Sequence, residues 1–165
     1  MFYICSKISI RSIAALVGGA MLLGVMLPAP AVTEERPVAN RHVRARINLM
    51  NSQNAVMHQL IAMSGGSMAF DARTARDLRR VLIDTSEDIP KRFRKRRHDR
   101  DSHARPEIWS YWDDFKLRAE LAEEAAKGIK TRSLGTLRAT LPAMINACQS
   151  CHDAYRDHVN EFITH

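Results

Sequence analysis

The segment INACQSCHDAYRDHV, residues 145–159, puts Cys148, Cys151 and His152 within five positions. The chain has three cysteines, and the third, Cys5, lies near the other end. Two thiols three residues apart, followed at once by an imidazole, suit a redox dithiol, part of a zinc site, or covalent attachment of haem. A structural zinc wants four protein ligands, and here the fourth would have to come from His158 or His165. Neighbouring positions on a helix also diverge by about 100°, which suits a shared tetrahedral ion poorly. A redox dithiol prefers a βαβ setting, and no run of alternating β-type residues occurs in this sequence. A plain disulfide is a further reading. Haem attachment fits the spacing best. The two thiols add to the two vinyl groups on one edge of the porphyrin, and the next imidazole reaches the iron. The divergence of Cys151 and His152 then serves a purpose, since one addresses the ring edge and the other its centre.

The elements that must position these residues begin after an atypical start. Met1–Arg11 carries Lys7 and Arg11 and no acid, and residues 12–27, SIAALVGGAMLLGVML, are apolar or small. PAPAV follows, with Ala29 and Ala31 two apart. A basic region, an apolar region and a small-x-small site make a secretory signal cut after Ala31. The other reading is an uncleaved anchor, for which the run is short against the ~20 residues of a membrane span. The expected organisation is therefore a signal peptide at 1–31 and one domain at 32–165. Export also suits covalent haem, which is attached on the outer side of the bacterial membrane.

Within the domain, Ile47, Met50, Asn54, Met57 and Ile61 recur at helical spacing, and Val56, Leu60 and Met63 widen the stripe. SGG at 64–66 stops that helix. A second helix is expected from about Phe70 to Glu87, capped by Asp71, with Leu78, Val81 and Leu82 inward and Pro90 ending it. A third opens at Pro106, with Ile108, Trp112, Phe115 and Leu121 on one side and Gly128 as its stop. Trp109, Trp112 and Phe115 pack it against its neighbours. The last begins near Ser133, and its stripe runs Leu134, Leu137, Leu141, Ile145, Cys148, His152, Tyr155, Val159, Phe162. Pro142 requires either a kinked helix or a short turn before a helix that starts near Leu141. The whole reads as an all-α, antiparallel four-helix bundle with one covalent haem c near the C-terminus.

At this point the sequence resembles the class II cytochromes c, the cytochrome c prime group and its low-spin relatives. The resemblance rests on CQSCHDAYR at 148–156, ARPEIWSYWDDF at 104–115, IPKRF at 89–93 and RINLM at 46–50. It implies that Cys148 and Cys151 hold the haem and that His152 is the proximal ligand. It implies that Arg46 pairs with a haem propionate and that Arg156 sits near the proximal imidazole. Arg suits carboxylates through its planar fork. It places Met50 on the other side of the iron, one turn after Arg46. A bound thioether there raises the reduction potential and makes one-electron transfer the function. An open sixth position instead makes the protein a binder of nitric oxide or carbon monoxide. Neither reading makes it an enzyme. The resemblance also implies a homodimer through the first two helices, against which stand Arg76, Arg79 and Arg80.

The formal charge of +7 is uneven: residues 91–105, KRFRKRRHDRDSHAR, hold eight of the 25 Lys and Arg. In an exported protein this cluster does not point to nucleic acid. It is either a solvated loop or a surface that steers an acidic periplasmic redox partner or anionic lipid.

Overall fold

The computed structural model of the chain describes residues 38–157. The expected leader at 1–31, and Val159 and Phe162 of the last stripe, lie outside the described residues. Six helices occur within them: α1 (Arg41–Gly65), α2 (Ala72–Glu87), α3 (Ile89–Phe93), α4 (Glu107–Ser110), α5 (Trp112–Gly128) and α6 (Leu134–Tyr155). The four long ones pack in a ring, α1 on α2, α2 on α5, α5 on α6 and α6 on α1. This is an antiparallel four-helix bundle. Among the described residues there is no strand, only an isolated bridge between Ala104 and Arg156.

Local chemistry sets the helix ends. Asn40 caps α1, its side-chain oxygen accepting the N–H groups of His42 and Val43 at 3.0 and 3.4 Å. Asp71 caps α2 through Thr74 N–H at 2.7 Å, as its position in the sequence predicts. Ser133 and Thr136 close a reciprocal box at the start of α6. Gly66 ends α1 in the left-handed region, at φ 86, its N–H turned onto the carbonyls of Ala62 and Met63. A methyl group at either Gly65 or Gly66 would meet nothing within 4 Å, so only backbone conformation separates them. Gly66→Ala should therefore lose about 1 kcal/mol to left-handed strain, while Gly65→Ala, in the helix, should gain about 0.5–1 kcal/mol. Denaturant midpoints of the two holoprotein variants check this, and equal midpoints would contradict it.

Burial revises several expectations. Val56, Leu60, Met63, Leu82, Leu137 and Leu141 form a core at the end of the bundle remote from the 94–106 loop. A second cluster, around Leu49, Ile89, Phe93, Ile108, Phe115 and Tyr155, lies at the loop end. Ile61, Val81 and Leu121 are exposed at 46%, 37% and 56%, so the inward faces of α1, α2 and α5 are rotated from the expected stripes. Small residues explain the rotation: Ala75 in α2 and Ala119, Ala122 and Ala126 in α5 are buried where the backbones approach, and alanine is easily overlooked beside leucine. Pro90 does not end α2, which stops at Glu87; it sits in the first turn of α3, where a missing N–H costs nothing. The third expected helix is broken at Tyr111 (φ −119, ψ 49) into α4 and α5. α6 runs unbroken through Pro142, which is exposed, so no separate helix starts at Leu141.

Candidate functional site

Cys148, Cys151 and His152 lie in the last two turns of α6, all three half-buried, and all three line one cavity of about 340 Å³. That volume is within the ~300–1,000 Å³ of small-molecule and cofactor sites. α1 supplies the facing wall with Ile47, Met50 and Asn54. These three belong to the stripe read from the sequence. The periodicity is real, but its N-terminal half faces this cavity rather than the closed core. Ile89, Phe93, Ile108, Phe115, Ala119 and Met144 complete an apolar lining.

The thiols are free rather than joined in a disulfide. Burial pushes both up, Cys151 to about 11, which is the opposite of the depressed thiol of a redox-active pair. Among the described residues no three His, Cys, Asp or Glu side chains converge to hold a metal ion; His158 and His165, from which the zinc reading drew its fourth ligand, lie outside them. What remains is two thiols and one imidazole on the same face of a helix, opening into a cavity with an apolar wall. That donor set fits haem: soft sulfur for the porphyrin edge, imidazole for the iron, hydrocarbon for the ring. Burial, and then the charge of Arg156, lower the pKa of His152, and the neutral ring is the form that ligates metals. Arg156 is exposed at the end of α6, its N–H bonded to the His152 carbonyl at 2.9 Å.

Arg46 is only 2% exposed. Its Nε donates to the Arg92 carbonyl at 3.2 Å, its Nη1 to that of Arg97 at 3.1 Å, and its Nη2 to that of Lys95. The guanidinium carbon lies 5.1 Å from the Phe93 ring centre and 5.0 Å from that of Trp109. It also lines the cavity. Arg46 is thus tied to the charged loop in a way its residue type alone did not reveal. Trp109 adds a bond from Nε1 to the Phe93 carbonyl at 2.8 Å.

Sequence reading missed a polar clamp behind the site. The Tyr155 hydroxyl donates to Asp114 Oδ2 at 2.6 Å, and Arg118 Nε meets the same oxygen at 2.7 Å. Arg118 Nη1 also donates to the Ser150 carbonyl and hydroxyl, at 3.0 and 2.6 Å. α5 is thereby bonded on both sides of Cys151. The signal was present only as i,i+4 spacing of Asp114 and Arg118. Likewise the Gln53 amide, on the cavity wall, donates to the buried Ser86 hydroxyl at 3.3 Å. Hydrogen bonds from Tyr155, and then from Arg118, hold the Asp114 carboxyl below its ordinary value. A carboxyl lowered by folding contributes stability above its unfolded pKa, near 4, and loses it as pH falls through the folded value. Asp114→Asn should therefore lower the melting temperature at pH 7, and the gap to the parent should close below about pH 4. A gap independent of pH would contradict this.

Comparison with known proteins gives a consistent answer. The sequence model of the family described as Cytochrome C' matches residues 41–156. Cytochrome c-554 of Cereibacter sphaeroides is 28% identical over 134 residues, 77% of this chain and 88% of the relative. Cytochrome c-556 of Rhodopseudomonas palustris is 26% identical over 152 residues, 86% of this chain and 95% of that one. A nitric oxide complex of a cytochrome c prime variant from Alcaligenes xylosoxidans superposes with a TM-score of 0.62 at 24% identity, covering 71% of this chain and 94% of that one.

Proposed function

The chain belongs to the cytochrome c' family, and on that basis we propose that it is an exported one-electron carrier rather than an enzyme. It carries covalent haem c, as its relatives do. Haem c supplies a one-electron couple at its iron. Cys148 and Cys151 would form the two thioethers, and His152 and Met50 would be the ligands of the iron. Arg46, with three of five N–H groups given to the loop, keeps two for a propionate. Arg156 holds positive charge beside the imidazole.

The observation that carries this reading is that Met50 of α1 and His152 of α6 line the same cavity from two different helices. A Met50 thioether that stayed bound in both oxidation states would leave little to reorganise as the electron moves. Apolar walls line the cavity around both residues, and the α5–α6 clamp ties down the turns of α6 on either side of Cys151 and His152. A second reading, capture of nitric oxide or carbon monoxide at an open sixth position, is favoured by the similarity to a cytochrome c prime whose nitric oxide complex is known. Absorption spectra of the ferric and ferrous holoprotein separate the two. Low-spin iron in both states supports the carrier, and high-spin ferric iron would overturn it.

The site of work is the periplasm, reached through the signal at 1–31, and the partner is a periplasmic redox protein. No helix among the described residues is long and apolar enough to cross a membrane. Homodimerisation through α1 and α2 belongs to the same reading. Of the charges that opposed it, Arg79 turns onto the Ala126 and Lys127 carbonyls, and Arg80 pairs with Asp77 at 3.4 Å.

A further inference from the structure

Arg94, Lys95, Arg96 and Arg97 are four consecutive exposed cations just past α3. The acids near them are committed elsewhere. Asp88 pairs with Lys91 at 3.3 Å and with Arg92. Asp99 accepts the N–H groups of Asn40 and Asp101 at 3.2 and 3.3 Å. Asp101 pairs with Arg100 at 3.3 Å. Among the described residues, no carboxylate forms an ion pair with any of the four. Their charge also reaches the start of α1. After burial, Lys95 is the largest cause of the lowered His42 pKa, with Arg97 contributing too.

Four exposed cations in a row would ordinarily sit on a loosely held backbone. Here the backbone beneath them is gripped from inside. Arg46 takes the carbonyls of residues 92, 95 and 97, and Trp109 takes that of residue 93. A few residues on, the same loop becomes the cavity rim, where Asp101 and Ala104 line the space with Arg46 and Phe93. An uncompensated, held positive surface therefore adjoins the cavity that takes the cofactor.

We propose that residues 94–97 are the docking surface for an acidic redox protein, and that Arg46 is the positioning residue that fixes their arrangement. The proposal rests on the electron-transfer reading above. Adjacency to the cavity is what electron exchange needs, because a partner seated there comes close to the cofactor. A membrane surface in the same place would cover that edge. A held charge pattern also suits a partner with a matching pattern of carboxylates, since complementary charge sets orientation and association rate more than affinity. Arg46 thus does more than its propionate role: one guanidinium links the cofactor cavity to the surface that receives the partner.

The test uses ferrous holoprotein and two oxidants of opposite charge, ferricyanide and tris(phenanthroline)cobalt(III), in stopped flow. In each reaction one electron leaves the haem iron, giving ferrocyanide or cobalt(II). The ferricyanide rate should fall at least about ten-fold as ionic strength rises from ~0.01 to ~0.3 M, while the cobalt rate does not fall. The fourfold variant R94Q/K95Q/R96Q/R97Q, altered only at exposed positions, should lose most of that salt dependence and keep its cobalt rate. Arg46→Gln leaves the four surface charges in place. It should speed native tryptic cleavage at 94–97 at least about ten-fold, as expected when local opening becomes easy, and should flatten the ferricyanide salt slope. Unchanged cleavage and slope in that variant would overturn the positioning role. If both oxidants react but the fourfold variant leaves the ferricyanide rate unaltered, the docking surface is wrong and electron transfer stands. If neither oxidant takes an electron, both fall. If the fourfold change abolishes binding to phosphatidylglycerol vesicles and leaves the ferricyanide rate alone, the surface faces lipid and the proposal is overturned.

Discussion

The double variant Cys148→Ala, Cys151→Ala is expected to lose its haem and, with it, the ordered loop end of the bundle. Two clusters hold this fold together. The remote one is closed and dense: Leu60, Leu82 and Leu137 are fully buried. The loop-end cluster is built around the cavity, with Phe115 in contact with Phe93, Trp112 and Tyr155 at ring-centre distances of 5.2, 5.5 and 5.3 Å. Losing the haem leaves about 340 Å³ of largely apolar wall without the group that covers it, and exposed apolar surface is costly, so the walls must collapse or the end must open. Opening is favoured, because the loop that Arg46 and Trp109 bond is also the cavity rim, and it loses what lies behind it when the haem goes. The variant should be cut by trypsin in the 91–105 segment at least about a hundred-fold faster than the holoprotein, while helicity of the remote end persists. A variant without haem that resists trypsin like the parent would contradict this.

Met50→Leu should have the second largest effect. Leucine keeps the volume and apolar character of the wall, so packing is spared and only the thioether is lost. The iron should change from low to high spin in the ferric protein, and the reduction potential should drop, since a methionine ligand raises it. Carbon monoxide should bind the ferrous variant more tightly. A thioether bound in all but ~1% of molecules reduces the apparent affinity of a competing ligand about a hundred-fold, and the variant removes that competition. Titration with carbon monoxide beside the two absorption spectra reads both changes. If parent and variant have the same spectra and the same affinity, Met50 is a wall residue and the gas-binding reading takes precedence.

Much of this molecule was legible in its sequence because its chemistry is local. Cys148, Cys151 and His152 are a contiguous motif. Asp71, Ser133 and Gly66 mark helix ends by side chain or backbone freedom within a few residues. The features that escaped are those joining distant segments. Arg46 reaches carbonyls 46–51 residues away, and backbone carbonyls carry no sequence signature. Tyr155 meets Asp114 across 41 residues, and each alone reads as an ordinary helix residue. The stripe through Ile47, Met50 and Asn54 was visible as spacing alone, because periodicity reports that a face is covered and not whether protein or cofactor covers it; only the resemblance pointed Met50 at the iron. Leu121 and Val81 misled for the converse reason: close helix approach at alanines set the buried faces, and large side chains were left outside.

Every role proposed for the site requires that one helix, α6, carry the cofactor on two sulfurs. Mass spectrometry of the proteolytic peptide spanning Cys148–His152, from protein made in a bacterium competent for c-type haem maturation, tests it most directly. The peptide is expected at its own mass plus one haem, with neither cysteine open to alkylation. A peptide at its bare mass, alkylated at both Cys148 and Cys151 or joined in a disulfide, would contradict it.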